Sequence, residues 1–72
     1  MVNINKLKAK MVEMGTNVEN VADKIGIDRA TLYRRLSGGG GAFTIGEADA
    51  ISRELALSKE EVNAIFFSQY VA

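Results

Sequence analysis

Apolar residues return every three or four positions along most of this chain. Ile4, Leu7, Met11 and Met14 form one such stripe, and Val18, Val21, Ala22 and Ile25 form a second. Leu32 and Leu36 lie one turn apart in a third segment. Ala48, Ile51 and Leu55, then Val62, Ile65 and Phe66, complete the series. This period is that of one helical face, so the pattern predicts five helices with their stripes turned inward. The expected fold class is all-α.

Polar residues punctuate the stripes. Asn3 and Asn17 stand where N-caps are needed, and Asp28 can accept from the free amides of the third helix. Thr44 to Glu47 and Ser58 to Glu61 both spell a capping box, in which the cap and the acidic residue three positions on satisfy each other's backbone amides. Val2 with Leu7, Ile27 with Leu32, Phe43 with Ala48 and Leu57 with Val62 are spaced as hydrophobic staples across four of these starts. Gly15 and Gly26 follow the first and second stripes, where a chain leaving a helix adopts a left-handed conformation.

The stretch Val18 to Leu36, VENVADKIGIDRATLYRRL, predicts two short helices joined by a tight turn. Ala22 is small where the helices would cross, and Gly26 makes the exit. On Ala22, Gly26, Leu32 and the block Asp28 to Tyr33, the stretch resembles the helix-turn-helix of the lambda-repressor and Cro-like family of phage and bacterial regulators. The helix order on either side fits as well. The resemblance implies a compact five-helix DNA-binding domain whose second motif helix lies in the major groove. By motif position, Arg29, Ala30, Thr31 and Arg34 match the family's base-reading residues. Their chemistry suits the role. Arginine forks match the O6 and N7 of guanine, threonine offers a hydroxyl or a methyl, and alanine allows close approach to a thymine methyl. Many members carry Gln at the position of Val18, where it helps hold a phosphate. Val18 cannot do this through its side chain, which leaves the helix amides near Asn17 and Val18 for that contact.

Length and charge narrow the reading. Seventy-two residues are expected to make one domain, residues 1–72, with the motif at 18–36, a Gly-rich loop at 37–42 and an apolar tail at 67–72. There is no Cys and no His, which excludes a disulfide framework, a thiol nucleophile, zinc sites of the usual type and histidine acid-base chemistry. No metal, cofactor or small-molecule ligand is expected. The carboxylates are accounted for by helix starts and solvated faces, so an enzyme is a poor reading. No apolar run reaches membrane-spanning length and MVNINKLKAKM has no signal-peptide core, so a cytoplasmic protein without membrane contact is expected. Net charge is zero, but unevenly distributed. Residues 1–36 hold seven basic and four acidic side chains, and residues 37–72 hold two and five. One basic face can therefore meet phosphates while the acidic end stays away.

The preferred function is a sequence-specific transcriptional regulator of phage repressor or Cro type. It would bind a palindromic double-stranded operator as a homodimer through helix 29–36. Candidate backbone contacts are Asn17, Val18, Tyr33, Arg35, Ser37, Lys6 and Lys10. Tyr33 is open between a packing ring and a phosphate contact, and the lysines between phosphate contacts and plain surface. The glycine run Gly38 to Gly41 is either a backbone-hugging loop or a tolerant connection. Phe67, Tyr70 and Val71 are candidate dimer contacts, or they fold back on the first helix. The alternative is a protein-binding module of the same fold, resembling an antitoxin or an anti-repressor.

Overall fold

The computed structural model describes residues 2–38 and 43–67, and among them five helices account for nearly all the regular structure. They are α1 (Ile4–Glu13), α2 (Val18–Ile25), α3 (Arg29–Ser37), α4 (Ile45–Glu54) and α5 (Lys59–Phe66). The rest of the glycine run beyond Gly38, and Tyr70 and Val71, lie outside the described residues.

Each helix begins as its cap residue dictates. The side chains of Asn3, Asn17, Asp28, Thr44 and Ser58 accept from the amides of Lys6, Asn20, Thr31, Glu47 and Glu61 respectively. Both capping boxes close, with Glu47 and Glu61 accepting in return from the amides of Thr44 and Ser58 at 3.0 and 2.8 Å. A cap of this type contributes about 0.5–2 kcal/mol. That matters in a chain without disulfides. The residues preceding four caps, Val2, Ile27, Phe43 and Leu57, all pack against the core. They fix the angle at which the chain enters each helix.

The core consists of Leu7, Met11, Val21, Ala22, Leu32, Leu36, Ile51, Leu55, Ile65 and Phe66. Every one comes from the stripes named above. The helix α2 is central, packing against both α3 and α4, while α1 packs against α5. The amide of Asn3 donates to the carbonyl of Ile65 at 2.7 Å and ties the start of α1 to the end of α5. Phe43 meets Phe66 edge to face, with centroids 5.9 Å apart.

Two expectations are corrected. Met14 is 48 % exposed, not inward-facing. It occupies the C-cap of α1, with φ −83° and ψ 3°, so the buried stripe ends a turn earlier at Met11. Lys10 is not on an open surface, because its side chain is only 15 % exposed and pairs with Glu61 of α5 at 2.8 Å.

Helices α1, α2 and α4 all end through a left-handed residue. For α1 and α2 these are Gly15 at φ +70° and Gly26 at φ +79°, but for α4 it is Ala56 at φ +51°. The amides of Ala56 and Leu57 donate back to Arg53 and Ser52, which closes the end of α4 as a Schellman motif does. An alanine held there stores roughly 1 kcal/mol of steric strain. Ala56→Gly is therefore expected to raise stability by a few tenths to about 1 kcal/mol, once the extra freedom of the unfolded glycine is allowed for. Gly26→Ala should do the opposite, although no neighbouring atom lies within 4 Å of the added methyl. Urea unfolding of both variants checks the pair; equal signs would contradict the backbone argument.

Candidate nucleic-acid interface

The turn between α2 and α3 is built from Gly26, Ile27 and Asp28. The amides of Gly26 and Ile27 both donate to the carbonyl of Ala22 at 3.0 Å, which folds the chain back sharply over the end of α2. Ala22 is fully buried at that point. Asp28 then caps α3, so the first turn of α3 is ordered from its first residue.

Around α3 the residues sort by angle, at about 100° per residue. Leu32 and Leu36 are 0 % and 5 % exposed and face the core. Arg34 stands opposite both. Ala30 and Ser37 are exposed beside it, with Thr31 half-buried on its other side. The Arg34 Nη2 donates to Thr31 Oγ1 at 3.2 Å, which holds the guanidinium over the middle of this face. Arg34 enters no ion pair among the described residues. Ser37 Oγ donates to the Arg34 carbonyl and closes the last turn.

The other candidates lie off this face. Arg29 and Tyr33 occupy the flank of α3 toward α2. Arg29 grips Asp23 through Nε and Nη2 at 3.1 and 2.6 Å, and the Tyr33 hydroxyl donates to Glu19. These contacts hold both carboxyls below the usual carboxylate range and push the Tyr33 phenol up. Glu19 thus turns toward α3. Arg35 lies on the opposite flank and is bidentate with Glu47 at 2.7 and 2.9 Å, which clamps the end of α3 to the start of α4. The Arg35 guanidinium is the main cause of the lowered Glu47 pKa.

The side chain of Asn17 is committed to its cap, and Val18 packs against the core, so only backbone amides remain for an anion there. Lys6 and Lys10 line a groove of about 500 Å³ between α1 and α5 together with Glu13, Glu60 and Glu61. No residue of α3 borders that groove. The structure therefore brings Ala30, Thr31, Arg34 and Ser37 onto one surface, sets Arg29 and Tyr33 at its edge, and separates Lys6 and Lys10 from it. Phe67 is 40 % exposed, and it lines a small surface cavity with Ile45, itself 85 % exposed. Asp23, Glu19 and Glu47 were not foreseen as partners of α3. The only prior signal for the first two was their spacing, four residues apart on the polar side of α2.

Acid sensitivity follows from these pairs. Glu19, Asp23, Glu47 and Glu61 all have lowered folded-state pKa values, caused first by Tyr33, Arg29, Arg35 and Lys10 respectively. A lowered pKa gives stability that is complete above the unfolded value and is lost as pH falls through the folded one. Those unfolded values are 4.5 for Glu and 3.8 for Asp. With no His in the chain, stability is expected to be flat from about pH 5.5 to about pH 9 and to decline below about pH 4.5. Urea midpoints across pH check this, and Glu47→Gln should flatten part of the acid limb. A decline between pH 8 and pH 5.5 would contradict it.

Two short helices crossed at a buried alanine, a left-handed glycine turn and a second helix with an exposed polar face define a helix-turn-helix domain. A family model described as helix-turn-helix, of the lambda-repressor and Cro-like type, matches residues 7–62, and the chain belongs to that family. No curated protein and no solved structure matches it. The protein is thus a DNA-binding helix-turn-helix regulator whose ligand is double-stranded DNA, in a family that is typically non-enzymatic. No helix among the described residues is long and apolar enough to cross a membrane.

Proposed function

We propose that the protein is an operator-binding regulator of phage repressor or Cro type that inserts α3 into the major groove as a homodimer. The observation that carries this reading is the outward face of α3. Arg34, a forked cation with no carboxylate partner among the described residues, lies at its centre, between small or short polar neighbours. Ala30, Thr31 and Arg34 are then the base readers, with Arg29 reaching in from the edge. Ser37, Tyr33 and the amides at Asn17 and Val18 face the flanking phosphates. Arg35 acts mainly through Glu47.

One helix of this size reads only a few base pairs. Two copies on a palindrome would read two half-sites about one helical turn apart. Phe67, next to Ile45 at 85 % exposure, supplies apolar surface for the contact between copies. The same surface favours the second reading, a protein-binding module of this fold. The two part on one experiment: selection from random duplex DNA followed by titration at several salt concentrations. The regulator reading expects an enriched palindrome and a log affinity that falls by about 0.9 per contacted phosphate per decade of salt. If no sequence is enriched at low salt, the protein-binding reading takes its place.

A further inference from the structure

The geometry points to Asp23 of α2 as a specificity-determining residue that positions the Arg29 side chain for base reading. The inference rests on the major-groove reading above. It concerns a residue outside the set that faces the DNA.

The argument begins with which edge of the guanidinium is used. Arg29 has five N–H groups in a rigid plane. Asp23 takes one from Nε and one from Nη2, which is the side edge of the plane. The end edge, made by Nη1 and the second hydrogen of Nη2, remains. That edge is the one that matches the paired acceptors of guanine. The contact therefore fixes the plane of Arg29 without occupying the atoms that read a base. Both side chains are more than half exposed, at 57 % and 55 %, and among the described residues the Arg29 guanidinium makes no hydrogen bond other than these two to Asp23. Arg29 is also the first residue of α3, at the end of the helix that enters the groove in this reading.

Orientation matters because an arginine loses much rotamer freedom when it binds, and a plane already held loses less. Asp23 also carries a negative charge beside the DNA surface. Arg29 held against it is poorly placed to donate to a phosphate instead. The pair should therefore favour the matching base and disfavour indiscriminate backbone contact. Removing the carboxylate should shift both balances together.

The alternative mechanical role is sequestration, in which Asp23 holds Arg29 away from DNA and must release it. The two roles predict opposite changes in base preference. The test uses the full chain and the sequence enriched from random duplex DNA. Binding is measured to that sequence, to its single-base variants and to random duplex. In Asp23→Ala the preference at one base pair per half-site is expected to relax by about 3- to 10-fold, with the other positions unchanged. Affinity for random duplex should rise, and its salt dependence should steepen by up to about 0.9 as Arg29 finds a phosphate. Asp23→Glu should recover part of the preference. In an Arg29→Ala background, Asp23→Ala should not alter base preference further. A purely structural role for Asp23 would alter thermal stability without moving one base position, so melting curves are recorded alongside.

Unchanged or sharpened preference in Asp23→Ala, with Arg34→Ala still losing its own position, would overturn the inference and leave the major-groove reading standing. A wild-type protein with no base preference would overturn both.

Discussion

Leu32→Ala is expected to lower the melting temperature by roughly 10–30 °C. Leu32 is fully buried on the inner face of α3, four residues after the Asp28 cap, in the core against which Ile27 also packs. Truncating a buried leucine costs about 2–5 kcal/mol, in lost transfer energy plus the cavity left behind. A folded chain of this length has only about 4–11 kcal/mol in total. The substitution therefore removes a large share of the stability. It also loosens α3 against α2, so DNA binding should weaken in parallel with the fraction folded. Val12→Ala is the control. Val12 is 77 % exposed and lies outside every surface proposed for DNA or a second copy, so its truncation should cost no more than about 0.5 kcal/mol. Circular dichroism melts of the two variants decide the matter, and similar shifts would mean that the core is not where the burial pattern puts it.

How far the sequence alone could lead depends on the range of each interaction. Helix starts were legible because a cap and its acceptor lie three residues apart; Thr44 with Glu47 and Ser58 with Glu61 can be seen without any tertiary knowledge. Ala22 and Gly26 were legible for the same reason, since a helix exit is a local event. The inward stripes were legible through their period, and only Met14 was misplaced, at a helix end where the period no longer applies. The pairs that shape the candidate interface were not legible. Tyr33 finds Glu19 fourteen residues away and Arg35 finds Glu47 twelve residues away, and both depend on how the helices cross. Arg29 and Asp23 are only six apart, yet they meet solely because the intervening turn reverses the chain. Lys10, open in the sequence between a phosphate contact and plain surface, meets Glu61 only because α5 packs against α1. The left-handed Ala56 carried no signal at all, because no glycine marks it. Sequence position thus marked Ala30, Thr31 and Arg34 as outward residues of α3, but not the partners held on its flanks.

Arg34→Ala is expected to cost roughly 5- to 150-fold in discrimination between the enriched DNA sequence and its variant at one base pair, equivalent to about 1–3 kcal/mol for a bidentate arginine–guanine contact. Binding to random duplex should change far less, since it reflects phosphates neutralised and not edges read. The distinction follows from the position of Arg34, opposite Leu32 and Leu36 and steadied by Thr31 Oγ1 at 3.2 Å. Arg34→Lys sharpens the test. It keeps the charge and removes the planar fork, so random-duplex affinity and its salt dependence should survive while the base preference falls. Arg35→Ala supplies the opposite pattern. Its partner Glu47 joins α3 to α4, so the variant should lose stability and keep its base preference in the folded fraction. If Arg34→Ala instead weakens selected and random DNA by the same factor, Arg34 contacts phosphate. The helix then meets the duplex in another orientation, with Arg29 and Thr31 as the remaining candidates for reading a base.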